Sequence, residues 1–114
     1  MEIEALSAKL RKFASDRDWE QFHSPKNLAS ALVVEAAELL EIFQWMKEDE
    51  SKNLDERTLN KVKEEIADIQ IYLLRISDVM GISIPEAVTA KIEKNAGKYP
   101  VDKAKGSSKK YDEL

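Results

Sequence analysis

An all-α domain is the fold this chain predicts, and three observations carry the expectation. Apolar residues recur at helical spacing, as in Ile3, Leu6, Leu10 and Phe13 or Val62, Ile66, Ile69, Leu73, Ile76 and Met80. Three glycines and three prolines in 114 residues leave little punctuation, so the elements should be few and long. Charged residues make up 35% of the chain, which suits helices with solvated faces. The length fits one domain with a modest core.

The first helix is expected over about Ile3–Ser15. The connection RDWEQFHSPKN follows, unusual for a loop in carrying Trp19, Phe22 and His23, which points to packing or a ligand. Ser24 then Pro25 is a helix start: an N-cap, then a residue that needs no amide hydrogen. The second helix should run to about Lys47. Between Leu28 and Met46 it is apolar almost all round, interrupted after Ser30 mainly by Glu35, Glu38, Glu41 and Gln44. A helix apolar on every side is a buried one. A chain this small cannot cover it alone, so neighbouring subunits are expected to complete the core. EDESKNLDER reads as a polar connection, and a third helix should span about Asp55–Met80 before Gly81 ends it. Ser83 and Glu86 form a capping box for a fourth helix that ends by Gly97. Four helices, the middle pair longest, would therefore occupy residues 1–100. The lysine- and serine-rich tail 101–114 loses apolar periodicity and is expected to be extended or mobile.

Several function classes are disfavoured. A net charge of −4 argues against nonspecific nucleic-acid binding. No apolar run reaches the roughly 18 uncharged residues of a membrane span. MEIEALSAKLRKF is charged from its second residue, so no signal peptide is expected there. The terminal YDEL therefore reads as a coincidental likeness to a retention signal. With no cysteine there is neither disulfide nor thiol catalysis, which fits a cytoplasmic location. No glycine-rich phosphate loop is present, and His23 beside Ser24 does not make a triad.

The carboxylates carry the chemistry. Glu35 and Glu38 sit i,i+3 on one apolar helix, and Glu65 and Asp68 repeat the spacing on another. Such pairs project from one face. Desolvating a carboxylate without a partner is costly, so pairs among aliphatics suggest a cage for a hard cation such as Mg²⁺ or Mn²⁺. The competing reading is a solvated acidic stripe, which Leu39, Ile42 and Trp45 interrupt. A di-iron cage would want Glu-x-x-His twice, and the one histidine lies elsewhere. Lys91, Lys94, Asn95 and Lys98 share a face of the fourth helix, either as solvated lysines or as a cationic wall for phosphates. Trp19, Phe22, Trp45, Tyr72 and Tyr99 are core residues or, with His23, a stacking slot for a base.

Glu35-x-x-Glu38 followed by Glu65-x-x-Asp68 resembles the E-x-x-E…E-x-x-D signature of the all-α MazG-like nucleoside triphosphate pyrophosphohydrolases. RDWEQFHSPKNLASAL, EIFQW, EEIADIQIYL, NAGKYP and SSKKYDEL are similar to the dCTP pyrophosphatase branch, over about residues 13–114. The resemblance implies a Mg²⁺-dependent hydrolase that splits a triphosphate such as dCTP between its α and β phosphates, and a dimer or tetramer. It implies Glu35, Glu38, Glu65 and Asp68 as metal ligands, with Glu41 assisting as a catalytic carboxylate. Trp19, His23, Trp45 and Tyr72 would line the nucleoside pocket. Lys26, Lys91, Lys94, Asn95, Lys98 and Tyr99 would approach the phosphates or sugar. The alternative in a different class is a non-catalytic helical oligomerisation module whose carboxylates are structural.

Overall fold

The computed structural model describes residues 2–114, and every regular element among them is helical. The chain divides into two compact units, Met1–Ile82 and Ser83–Leu114. The all-α class is thus as expected.

In the first unit α1 spans Ile3–Asp16, α2 Pro25–Phe43, α3 Glu48–Ser51 and α4 Glu56–Met80, with a 3₁₀ turn at Glu20–Phe22. α1 stops without a glycine. Asp18 takes the left-handed conformation at φ 55°, its N–H reaches Ser15 O, and the Trp19 N–H reaches Ala14 O at 2.9 Å. This is a Schellman closure, which brings the residue after the left-handed one back over the last turn. Trp19 accordingly meets Phe13 edge-on, ring centroids 5.7 Å apart. Gln21 Nε2 donates to Asp18 O and Oδ2, steadying the unusual backbone. The Ser24 cap forms as read, accepting from Asn27 N at 3.2 Å, and Asn27 Nδ2 donates to Phe22 O. Those two bonds fix where Trp19–His23 enters α2. Asp55 caps α4 through Thr58 N at 2.7 Å, and Gly81 closes it at φ 67°.

α4 packs against α2 and α1. The core of this unit is small: Ala14, Leu28, Val62 and Leu74 are buried, joined by Ser7 and Arg75. Three expectations shift. α2 ends at Phe43 rather than near Lys47, because Met46 N turns back to Phe43 O. The polar connection contains the single turn α3, whose acidic start (Glu48, Asp49, Glu50) suits the positive end of a helix dipole. On α4 the packed line is Val62, Leu74 and Arg75, while Ile66 and Met80 of the expected seam are exposed. Periodicity marks which residues share a face; the neighbour available in the fold selects how much of it is covered. α2 indeed has more apolar surface than the chain covers: Val33 is 67% exposed and Leu40 61%.

In the second unit α5 spans Ile84–Lys98, one residue beyond Gly97, and α6 Val101–Ala104, with a 3₁₀ turn at Tyr111–Glu113. Ser83 Oγ accepts from Glu86 N, the first half of the capping box. The tail is not simply extended. Tyr111 lies edge-on to Tyr99 at 6.3 Å, and Lys98 Nζ sits 4.6 Å from the Tyr111 ring centroid. One aromatic with a cation and a second ring beside it supplies a local anchor that hydrophobic periodicity does not register.

Candidate active site

The two acidic pairs lie on α2 and α4, the helices that pack together. One carboxylate oxygen from each of Glu35, Glu38 and Glu65 falls within 4.8 Å of the other two. Glu35 and Glu65 are half-buried, and the Oε2 atom of each is buried with no hydrogen-bond partner among the described residues. Buried polar atoms are normally satisfied, so two orphaned oxygens in one cluster fit a ligand set for a cation. Glu35 responds most. Burial first, then Glu38 and Glu65 across the cluster with Asp68 beyond them, push its carboxyl from 4.5 up to about 7. Glu65 is also pushed up, chiefly by burial. Asp68, one turn from Glu65, is half-buried and close enough to raise both. An all-oxygen set of this kind fits Mg²⁺ or Mn²⁺ rather than a softer metal.

The i,i+3 spacing to Asp68 picks Glu65 rather than its neighbour Glu64 as the residue facing the cluster. Glu65 does face it; Glu64 lines an open cleft of about 340 Å³ with Lys61 and Glu41. Glu41 therefore stands beside the trio, at the rim that Glu38 shares.

Metal-free protein should show a distinctive stability profile. An unfolded glutamate ionises near 4.5 and folded Glu35 near 7. The fold thus holds its proton more tightly, and this stabilisation is present below pH 4.5 and lost as pH rises through 7. Melting in EDTA between pH 5 and 8 should reveal a decline that Glu35→Gln flattens and added Mg²⁺ offsets.

One turn beyond Asp68 on α4, about 6 Å up the axis, Tyr72 faces a second feature. A cavity of about 190 Å³ is lined by Leu10, Phe13, Ala14, Trp19, His23, Ile71, Tyr72 and Arg75. The α1 closure supplies Trp19, and the 3₁₀ turn supplies His23, whose ring lies 6.4 Å from the indole at 65°. Three of the four expected nucleoside residues thus meet in one mostly apolar slot. The fourth, Trp45, is 90% exposed and does not line it. Lys26 is exposed in the first turn of α2. Lys91, Lys94, Asn95 and Lys98 all lie on α5, with Tyr99 directly after it. A wider groove of about 460 Å³ over α3 (Met46, Asp49, Asn53, Thr58) shares no residue with either feature.

The sequence alone assigns no site role to Arg75, which lines the slot, or to the charged residues it meets. Arg11, Arg75 and Asp78 form an ion-pair chain there, Arg11 Nη2 to Asp78 Oδ1 at 2.7 Å and Arg75 Nη1 to Asp78 Oδ2 at 3.3 Å. The i,i+3 spacing of Arg75 and Asp78 was the available signal.

A profile of the MazG-like family matches residues 31–114, which takes in both acidic pairs. The chain belongs to the MazG-like family. Among individual proteins it is 42% identical over 105 residues to dCTP pyrophosphatase 1 of Bos taurus and of Homo sapiens, 90% of this chain in each case. This MazG-like chain spans 62% of the length of those relatives. A crystal structure of a pyrophosphatase from Archaeoglobus fulgidus superposes with a TM-score of 0.83 at 50% identity, covering 88% of this chain and 94% of the other. No helix among the described residues is long and apolar enough to cross a membrane.

Proposed function

We propose that this MazG-like chain is a cytoplasmic, Mg²⁺-dependent nucleoside triphosphate pyrophosphohydrolase, converting a dCTP-like triphosphate and water to the monophosphate and pyrophosphate. The observation that carries the reading is the Glu35–Glu38–Glu65 cluster with its two orphaned buried oxygens. A structural carboxylate would have kept a partner. The dCTP pyrophosphatase names of the relatives support the substrate class.

Glu35, Glu38, Glu65 and Asp68 would hold the metal, with Mn²⁺ a possible substitute. When bound, the cation supplies charge to the phosphate oxygens and eases loss of a proton from the attacking water. Glu41, at the rim, can accept that proton. Trp19 and Tyr72 sandwich the base, with His23 donating to its edge. Lys26, Lys91, Lys94 and Lys98 offset charge that builds on the leaving pyrophosphate, while Asn95 and Tyr99 bind sugar or phosphate oxygens. The protein works as a dimer or tetramer, a second copy covering Val33, Val34 and Leu40 on α2, half or more exposed in the single chain. A panel of canonical and modified nucleoside triphosphates, with products identified, tests the reaction. Monophosphate and pyrophosphate are expected, fastest from a cytosine nucleotide; release of orthophosphate alone would overturn it.

A further inference from the structure

One wall of the aromatic slot carries a charged network that neither metal binding nor phosphate binding uses. Arg75 is 6% exposed. Its Nε donates to His23 Nδ1 at 3.3 Å and its Nη1 to Asp78 Oδ2 at 3.3 Å. Asp78 is held from its other side by Arg11 on α1, Nε to Oδ2 at 3.0 Å and Nη2 to Oδ1 at 2.7 Å. The guanidinium of Arg75 is therefore fixed at one end by a carboxylate that is itself clamped, and points its Nε–H at the histidine.

That geometry decides the chemistry of His23. A guanidinium has only donors and stays protonated. The nitrogen it meets must offer a lone pair, so a neutral ring carries its proton on Nε2. A protonated ring would set N–H against N–H beside a full positive charge. Burial and the Arg75 charge both push the His23 pKa below its ordinary value, opposed by Glu20. Asp78 does not draw a second proton to the ring, because Arg11 and Arg75 already satisfy it and keep its own carboxyl ionised.

We infer that Arg75 is a positioning residue that locks His23 as a neutral Nε2–H donor, so that the slot selects a base presenting an acceptor at ring N3. The inference rests on the nucleotide reading above and deepens it to base choice. Cytosine offers acceptors at both O2 and ring N3. Uracil and thymine also accept at O2 and at O4, so the choice is made at N3, where they carry a hydrogen that opposes a donor unable to reverse. A free histidine could swap tautomers and accept from them; one locked by Arg75 cannot. Discrimination of this kind follows from a polar group left unpaired with the wrong ligand.

His23 is the chain's one histidine, so the ¹⁵N–¹H correlation pattern of its imidazole is assigned without ambiguity. The full chain should show a protonated Nε2 and a bare Nδ1 at pH 7.5. Arg75→Gln, which leaves the Arg11–Asp78 clamp intact, should bring in the Nδ1–H form and cut the dCTP-over-dTTP ratio of kcat/KM about tenfold, mainly through KM. Arg75→Lys, retaining a cationic donor, should restore the tautomer and much of the ratio. In a His23→Ala background Arg75→Gln should change the ratio no further, since the cycle isolates what passes through the ring. An Nδ1–H tautomer in the wild type, or an equal loss of selectivity with and without His23, would overturn the inference. If no nucleoside triphosphate were hydrolysed, the nucleotide reading would fail instead, and the tautomer would still report whether Arg75 sets the ring.

Discussion

Glu38→Gln and Asp68→Asn should each remove nearly all triphosphate hydrolysis while leaving the protein folded. Glu38 belongs to the trio and Asp68 lies beside it, and both crowd like charge around a half-buried Glu35. Exchanging one for a neutral amide relieves repulsion in the metal-free protein, so its melting temperature should hold or rise. On the proposed reading the same exchange would take a charged oxygen ligand from the cation. Changes merely adjacent to metal ligands commonly cost about 10–100-fold, and loss of a ligand should exceed that. Steady-state turnover of dCTP at low millimolar Mg²⁺, read beside a thermal melt, checks both halves. Wild-type turnover in either variant would remove that residue from the ligand set. Unfolding of either would mean that the carboxylate is structural.

Trp19→Ala should act on a different quantity. The indole stands in the slot wall between Phe13 and His23, and stacking an aromatic on a base is worth roughly 1–3 kcal/mol. At about 1.4 kcal/mol per factor of ten, kcat/KM should fall about tenfold to a hundredfold, chiefly through KM. Mg²⁺ affinity, read from the metal's effect on melting, should hardly change, because an indole is no ligand for a hard cation. Stacking tolerates any base, so the loss should be similar for dCTP and dTTP. The Arg75→Gln effect is expected to differ between them. A base-dependent loss in Trp19→Ala would assign specificity to the indole and not to His23.

The carboxylates and the aromatic slot differ in how far each is legible in the sequence. Glu35, Glu38, Glu65 and Asp68 stand out in the sequence because carboxylates at i,i+3 are out of place in an aliphatic helix, whatever the fold. The resemblance to MazG-like hydrolases rests on those same residues, and the family match spans them. Trp19 and His23 stand out because a loop seldom carries such rings. That they share a wall with Tyr72 depends on how α1 ends, and the left-handed Asp18 responsible has no glycine to announce it.

Local signals were read well because their physics is local. Ser24 and Ser83 each bond an N–H three residues on, and Gly81 closes the turn it follows, so a window of four or five residues contains cause and effect. By itself the sequence determined the helical class, most helix starts, the acidic signature and the apolar excess of α2. The tertiary structure alone decided that Val62 and not Ile66 is covered, and that His23 is held by Arg75. The last contact joins residues 52 apart in the chain, and the Arg11–Asp78 clamp behind it joins residues 67 apart. Helical periodicity repeats every few residues and carries no information about which distant face arrives opposite. Packing α1 and α2 against α4 supplies that, and with it the contact between Arg75 and His23.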